Sequence, residues 1–522
     1  MTYIISNKLR LFSLLAVLLI TVLIYIPSLK NGFVNWDDNQ NVYQNEHIKT
    51  INADNLKVYF TEPLIGMYTP LVYISYAIDY SIGKLDPYYY HLSNLILHLF
   101  NVLLIWLIMM ALTNKPEIAA ICALLFAIHP MNVGGVAPVS VRGSLLYSFF
   151  YLMAYLSYLV YLLKRKWGYL IFSLILFTLS LLSKSAAVVL PVLMLATDIY
   201  LNRKDYLRML LEKLPFLAIS FVFGILTIYF RADAGHLWNS YDFTIIQRFF
   251  LVCHTILFYL FKLFIPLNLS AYYPYPNMVS GHLPLEFFAA PAIILIILII
   301  ILKSGSLRRE IIFGSAFFLI QIGLVLKIIP MGDEIACDRY AYLPFVGMYF
   351  IIGHLIYSIM QRRGSRLILM CIVGLMGWMI WFGFLTNNRI KVWNNSIKLY
   401  NDVLSKYPDV AIVYYDRGIA KLEKSDVTGA LSDFSNAIRI NPYLDDAWIY
   451  RGNIKAGQKN LEGALYDLNK AIELKPGKAM AYVNRGSVLF MMNYSKGACI
   501  DWQRASKLGN KQAFIMLNYY CR

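Results

Sequence analysis

Charged residues are scarce in this chain. Only 15% of its 522 residues are Asp, Glu, Lys or Arg, and 59% are hydrophobic, where soluble domains carry about 25% charge. That shortage excludes an ordinary soluble globular protein and leaves a polytopic membrane protein. Cysteine is sparse too. The six cysteines, at 122, 253, 337, 371, 499 and 521, form no CxxC pair and no regular framework, so neither disulfides nor a zinc site is expected. No small-residue cleavage site follows the N-terminal apolar run, which therefore reads as a retained first helix. The net charge of +17 raises nucleic acid as a partner. No zinc spacing, RNA-binding signature or concentrated basic helix accompanies it, and nucleic acid is not expected.

What is present is a series of apolar runs. Those near 11–29, 91–112, 117–130, 143–163, 168–183, 186–201, 214–231, 286–302, 310–330, 342–360 and 366–385 have the composition of spanning helices. Two more, 67–82 and 248–266, are ambiguous. Lys8 and Arg10 place the N-terminus inside, and "KRK", "NRKDYLRMLLEK", "KSGSLRRE" and "QRRGSR" then alternate onto the same side. The expectation is eleven crossings, N-terminus in and C-terminus out. The two ambiguous runs are read as re-entrant or interface helices.

From about 387 the sequence turns amphipathic and repeats. Arg417-Gly418, Arg451-Gly452 and Arg485-Gly486 lie 34 residues apart, as do Ala430, Ala464 and Ala498, and Asp433, Asp467 and Asp501. Thirty-four residues is the tetratricopeptide period. Small Ala and Gly let paired helices approach, while Pro408, Pro442 and Pro476 end each second helix. The expected fold is all-α: a membrane helical bundle over 1–386, then a repeat solenoid over 387–522. Its repeats fall near 411–444, 445–478 and 479–512, with a partial unit near 393–410.

The outward loops gather Asp37, Asp38, His129, Arg142, Lys184, Arg231, Asp338 and Arg339. Charge near an apolar boundary is costly and needs a partner or a use. An acid pair with several cations suits a base facing a phosphate-bearing substrate: a carboxylate takes a proton from an attacking hydroxyl, and Arg and Lys hold the phosphate. Each group also has a plainer reading. The acid pair suits a cap, Arg142 and Lys184 suit snorkelling at helix ends, and Asp338-Arg339 suits a local ion pair. His129 before Pro130 suits a helix-end hydrogen bond, and the tyrosines of "AYYPYP" suit packing. No metal site is indicated.

The ordered stretches "FVNWDD", "YTPLVYISYAID", "LLFAIHPMNVGGVAPVSVRGSLL", "LLSKSAAVVLPVLMLATDIYL", "KLFIPLNLSAYYPYP" and "CDRYAYLP", followed by the repeats, resemble the GT-C superfamily of membrane glycosyltransferases. Within it the chain resembles protein O-mannosyltransferases with C-terminal tetratricopeptide repeats. It implies inverting, direct transfer of a hexose such as mannose from a polyprenyl-phosphate donor to a hydroxyl of a protein or glycan, with no cofactor, on the extracytoplasmic face. It implies that Asp37 or Asp38 is the base, with a slight preference for Asp38. Arg142, Lys184 and Arg339 would clamp the phosphate, His129 and Asp338 would orient neighbours, and the repeats would bind the acceptor. The chain departs from that pattern at Thr69, where relatives often carry Arg, and at Ser185, where many carry an acid. Those departures motivate a non-catalytic, membrane-anchored repeat scaffold as the alternative. A lipid-linked sugar transporter is a further one. The expected location is a bacterial inner membrane rather than the endoplasmic reticulum.

Overall fold

The computed structural model describes residues 2–63, 66–233, 243–278, 281–328, 334–361 and 365–521. Among these the chain is helical apart from one two-stranded ladder, and it divides into two compact units, Met1–Asn395 and Ser396–Arg522.

In the first unit, seven helices are long and apolar enough to cross a bilayer among the described residues: Arg10–Lys30, Pro87–Thr113, Arg142–Lys164, Tyr206–Ala232, Ile245–Phe264, Leu285–Leu302 and Ile368–Val392. A bent pair, Pro116–Ile128 with Pro130–Val136, makes an eighth if counted as one span. Three further expected crossings are shorter apolar helices, Trp167–Ser183, Ser185–Tyr200 and Pro344–Met360. The run at 310–330 forms a 15-residue helix, Arg308–Ile322, and then a 3-10 turn.

The two ambiguous runs separate. Pro70–Gly83 has 14 residues and buries Tyr73, Tyr76 and Asp79; at about 1.5 Å per residue it falls short of a hydrocarbon core. The run at 248–266, expected as an interface or re-entrant segment, has the length of a span. Ile245–Phe264 is one continuous helix of 20 residues, opened by a capping box between Thr244 and Gln247. Its polar Cys253, Thr255 and Lys262 are buried, while Phe249, Phe261 and Phe264 face outward. Inward-turned polar groups reconcile that composition with a spanning length.

The bend at His129-Pro130 brings distant loops together. Pro130 has no N–H to continue the preceding helix, and the two segments meet at 52°. Beyond it the chain runs against 338–342 through two glycines. A Cβ on Gly134 would sit 2.8 Å from Asp338 Cβ, and one on Gly135 would sit 3.1 Å from the Tyr342 ring. Nearby, Tyr273–Pro274 pairs antiparallel with Glu334–Ala336. The Tyr259 hydroxyl locks the end of that ladder, accepting from Cys337 N and donating to Cys337 O, each at 3.0 Å.

The second unit is a helix, Ser396–Lys406, then three helix pairs and a terminal helix. The pairs are Ala411–Glu423 with Val427–Ile440, Asp445–Gly457 with Leu461–Leu474, and Ala479–Met491 with Ser495–Lys507; Lys511–Tyr520 closes the row. The structure explains why Arg-Gly and Asp repeat. Each Arg reaches both oxygens of the Asp 16 residues on: Arg417 to Asp433 at 2.9 and 2.7 Å, Arg451 to Asp467 at 2.8 Å twice, Arg485 to Asp501 at 2.7 Å twice. Each neighbouring Gly admits a large partner, since a Cβ would meet Phe434 at 2.7 Å, Leu468 at 3.1 Å and Trp502 at 2.6 Å. One expectation fails here. Cys499 and Cys521 form a disulfide joining the last full repeat to the terminal helix. Their spacing matches no known framework, and only the folded helix pair brings them together.

Candidate active site

The polar residues of the outward loops fall into two groups, separated by exposure. Asp38, His129, Arg142 and Asp338 are buried, while Asp37 is open to solvent and Lys184, Arg231, Lys327, Glu334 and Arg339 are partly open. The first group lies inside the protein and the second is reached by solvent.

Asp38 is 1% exposed. One carboxylate oxygen accepts from Val34 N at 2.8 Å, the other from Ser140 N at 2.7 Å. It ties the first loop to the segment after the bend. Burial pushes its carboxyl up to about 6 against the pull of those two N–H groups.

Arg142 is also 1% exposed, and its donors are taken. It reaches Asp79 at 2.7 Å, the Tyr90 carbonyl at 2.8 Å, Ser75 at 3.3 Å and the side chain of Asn94. Asn94 in turn donates to the carbonyls of Val136 and Pro138. The expectation for Arg142 was a phosphate clamp, and the structure places it away from solvent with these partners. It is a buried counterion whose network fixes the loop that presents Ser140 to Asp38. Asp79→Asn or Arg142→Gln strands the other partner, with an expected loss of about 3–5 kcal/mol, read as a lower unfolding midpoint of the detergent-solubilised protein.

His129 caps the bend. Its Nδ1 accepts from Met131 N at 3.2 Å and its Nε2 donates to the Leu263 carbonyl at 3.2 Å, which is the neutral tautomer and the plainer of its two readings. Asp338 accepts from the Tyr273 hydroxyl at 2.7 Å and pairs with Arg389 at 3.3 Å. The tyrosines of "AYYPYP" are buried and serve packing.

Asp37 is different. It is accessible, and no hydrogen bond to its carboxylate is seen among the described residues. Protein nevertheless surrounds it enough to push it up to about 6, through desolvation first, opposed by Arg339 and reinforced by Glu334. Lys184 donates to Ser144 Oγ at 2.9 Å and lies over the Tyr147 ring at 5.7 Å. Desolvation and the repulsion of Arg339 hold it down to about 7. Arg231 and Lys327 lie in the same electrostatic neighbourhood as Lys184, Arg339 and Glu334. Arg339 pairs with Glu334 at 3.4 Å, and the Tyr340 hydroxyl donates to the same Glu334 oxygen at 3.1 Å.

Lys327 and Glu334 were not anticipated. Lys327 ends an apolar run as a lone cation, which was a usable signal. Glu334 lies five residues before Arg339, and only the ladder and the following turn make them partners. Among the described residues, no three His, Cys, Asp or Glu side chains group as metal ligands. The chemistry on offer is an accessible carboxylate in the field of Arg339.

Comparison with known proteins follows the same line. Residues 83–230 match the family described as dolichyl-phosphate-mannose-protein mannosyltransferase. The chain is 32% identical over 173 residues to the protein O-mannosyl-transferase Tmtc1 of Drosophila melanogaster, covering 32% of this chain and 20% of that protein. The resemblance to the GT-C membrane glycosyltransferases stands. Protein O-mannosyl-transferase TMTC3 of Homo sapiens is likewise 32% identical over 145 residues, covering 26% of this chain and 15% of its own. The matches thus span a fifth or less of these relatives. Among solved structures, the archaeal oligosaccharyltransferase AglB of Archaeoglobus fulgidus, in complex with an inhibitory peptide and a dolichol-phosphate, aligns over 74% of this chain and 56% of its own at 14% identity and a TM-score of 0.44. The matched family segment contains Lys184, whereas Asp37, Lys327, Glu334 and Arg339 lie outside it.

Proposed function

We propose that the chain is a membrane glycosyltransferase that moves a hexose, mannose in the simplest case, from a polyprenyl phosphate to a hydroxyl of a protein. The observation that carries this reading is Asp37, an accessible but desolvated carboxylate in the field of Arg339, whose charge in turn reaches Lys184. Asp37 takes the proton of the acceptor hydroxyl, whose oxygen attacks the anomeric carbon. The bond from that carbon to the phosphate oxygen breaks, and its electron pair leaves on the phosphate. Lys184 and Arg339 stabilise the charge that develops there. A single displacement inverts the anomeric centre and needs no metal. This reading replaces the preference for Asp38, both of whose oxygens are engaged by backbone N–H groups.

In this reading the site faces away from the cytoplasm. The disulfide of the repeat unit supports that, because disulfides persist in oxidising compartments. The repeat unit presents a row of helices of the kind that holds an extended peptide, and we assign it the acceptor. When free thiols are blocked in intact cells before lysis, the Cys499–Cys521 pair should stay unlabelled until reductant is added. Labelling of both cysteines without reductant would place the unit in a reducing compartment.

The test of the activity is mass spectrometry of glycoproteins from cells lacking the protein. A set of hexose-modified peptides should disappear, return with the wild-type chain, and stay absent with Asp37→Asn. Full restoration by the Asp37→Asn chain would refute the assignment of the base.

A further inference from the structure

Two departures from the repeat fall on one seam of the solenoid. Arg417 and Arg485 each reach back to the preceding helix, Nη1 to Asn401 Oδ1 and to Asn469 Oδ1, both at 2.7 Å. In the same register at the seam between the first and second helix pairs stands Ser435. Its hydroxyl turns to the Leu431 carbonyl at 2.8 Å, and among the described residues Arg451 bonds only forward, to Asp467. The second departure is Gly457. The first helices of the three pairs end on Glu423, Gly457 and Met491, and the middle one carries no side chain. Its backbone does not call for glycine, because Gly457 is helical, and among the described residues a Cβ there would meet no neighbouring group within 4 Å. Glycine weakens a helix relative to alanine, so its place needs another reason.

Gly457 lines a cleft of about 490 Å3 between the turn of the first pair and the end of this helix. Leu422, Val427, Tyr450 and Ile454 supply its apolar walls, and Asn453 and Gln458 its polar groups. None of the lining residues is charged, and the flanking Lys424 and Lys459 are offset by Glu423 and Asp426. The side-chain amides of Asn453 and Gln458 are exposed and make no hydrogen bond among the described residues. An uncharged apolar cleft complements an uncharged apolar side chain. Two free amides beside it complement the N–H and C=O groups of an extended main chain. A lipid tail would leave those amides unused, and a helix of a second copy has its main chain already bonded.

We infer that this cleft binds an extended peptide segment through one bulky apolar side chain, with Asn453 and Gln458 on the main chain beside it. That the segment belongs to the acceptor rests on the proposed transferase reading. The repeat unit then selects acceptors that carry such a side chain.

The test is binding of a fluorescent, flexible Ser/Thr peptide with one central Phe to the purified full-length chain in detergent, with no sugar donor present. Replacing the Phe of the peptide by Ala should weaken binding roughly tenfold. Gly457→Met and Ser435→Asn give this seam what a neighbouring repeat already carries, so the fold tolerates both. Gly457→Met fills the cleft. It should weaken the Phe peptide roughly tenfold without lowering the unfolding midpoint, and should leave the Ala peptide unchanged. Ser435→Asn draws the seam together and should act in the same direction by less. No binding of the Phe peptide by the wild-type chain, equal binding of the two peptides, or an unaltered affinity in Gly457→Met overturns the site. Self-association of the wild-type chain that Gly457→Met abolishes does so too. The transferase reading fails separately. Absence of sugar transfer with this binding pattern intact overturns that reading and upholds the peptide site, whereas transfer to both peptides at equal KM overturns the site alone.

Discussion

Asp37→Asn is expected to lower sugar transfer by roughly 10²–10⁴-fold, the usual contribution of a positioned general base, and to leave the fold intact. The carboxylate of Asp37 is exposed and accepts no hydrogen bond among the described residues, so an amide of the same size disturbs no packing. Its neighbour should respond in the opposite manner. Asp38→Asn puts an amide NH2 against either Val34 N–H or Ser140 N–H. Two buried donors then face each other, with an expected loss of about 1–3 kcal/mol of stability. Activity assays and thermal unfolding on the two variants separate the roles: Asp37→Asn should be inactive and stable, Asp38→Asn unstable. A stable, inactive Asp38→Asn beside an active Asp37→Asn would reverse the assignment.

Removing the clamp should be nearly as costly. Lys184→Gln or Arg339→Gln deletes a cation aimed at charge that appears only as the phosphate leaves, and each is expected to lower kcat by about 10²–10³-fold. The pH dependence adds a sharper mark. Asp37 acts as a base only when deprotonated, and its carboxyl stands near 6, so kcat/KM should fall as pH drops through that value. Lys184 holds phosphate only when protonated, and it stands near 7, so kcat/KM should also fall as pH rises through that value. The profile is a narrow bell between the two. A bound phosphate favours the charged lysine, so the alkaline limb of kcat should lie at higher pH than that of kcat/KM. Lys184→Arg stays charged throughout and should lose the alkaline limb. An unchanged limb in Lys184→Arg would remove Lys184 from the phosphate site.

Much of the fold was legible because it is written in period and composition. The 34-residue register of Arg417, Arg451 and Arg485 survives any ambiguity in helix ends, and the structure adds the partner Asp of each repeat. Helix length was harder to read. Trp167–Ser183 and Pro344–Met360 are apolar but short, and hydropathy alone does not say whether a short run leans on neighbours. Ile245–Phe264 is hard to place for the converse reason, since polar residues turned inward look the same in sequence as polar residues facing lipid. The basic run at 202–213 was read as a cytoplasmic loop. In the structure Lys213 and Glu212 are buried, with Lys213 paired to Asp198, and Arg203 bridges Asp198 and Glu212 at 3.1 and 2.7 Å.

The candidate site was legible as a set of residues but not as a set of roles. Asp37, Asp38, Arg142, Lys184, Asp338 and Arg339 are all polar groups at loop boundaries. Which of them are buried depends on hydrogen bonds between residues tens to hundreds of positions apart. Arg142 meets Asp79 across 63 residues, and Asp38 meets Ser140 across 102. The disulfide was missed because two cysteines 22 residues apart carry no signal until a terminal helix folds back.

The central claim is that Asp37 drives transfer from a lipid phosphate. The most direct measurement reconstitutes the full-length chain in liposomes containing a polyprenyl-phosphate hexose and an acceptor peptide, and follows glycopeptide and released polyprenyl phosphate together. The wild-type chain should form the two products in equal amounts, and Asp37→Asn should form neither. Equal turnover by the two chains, or lipid phosphate released with no glycopeptide formed, would contradict the account.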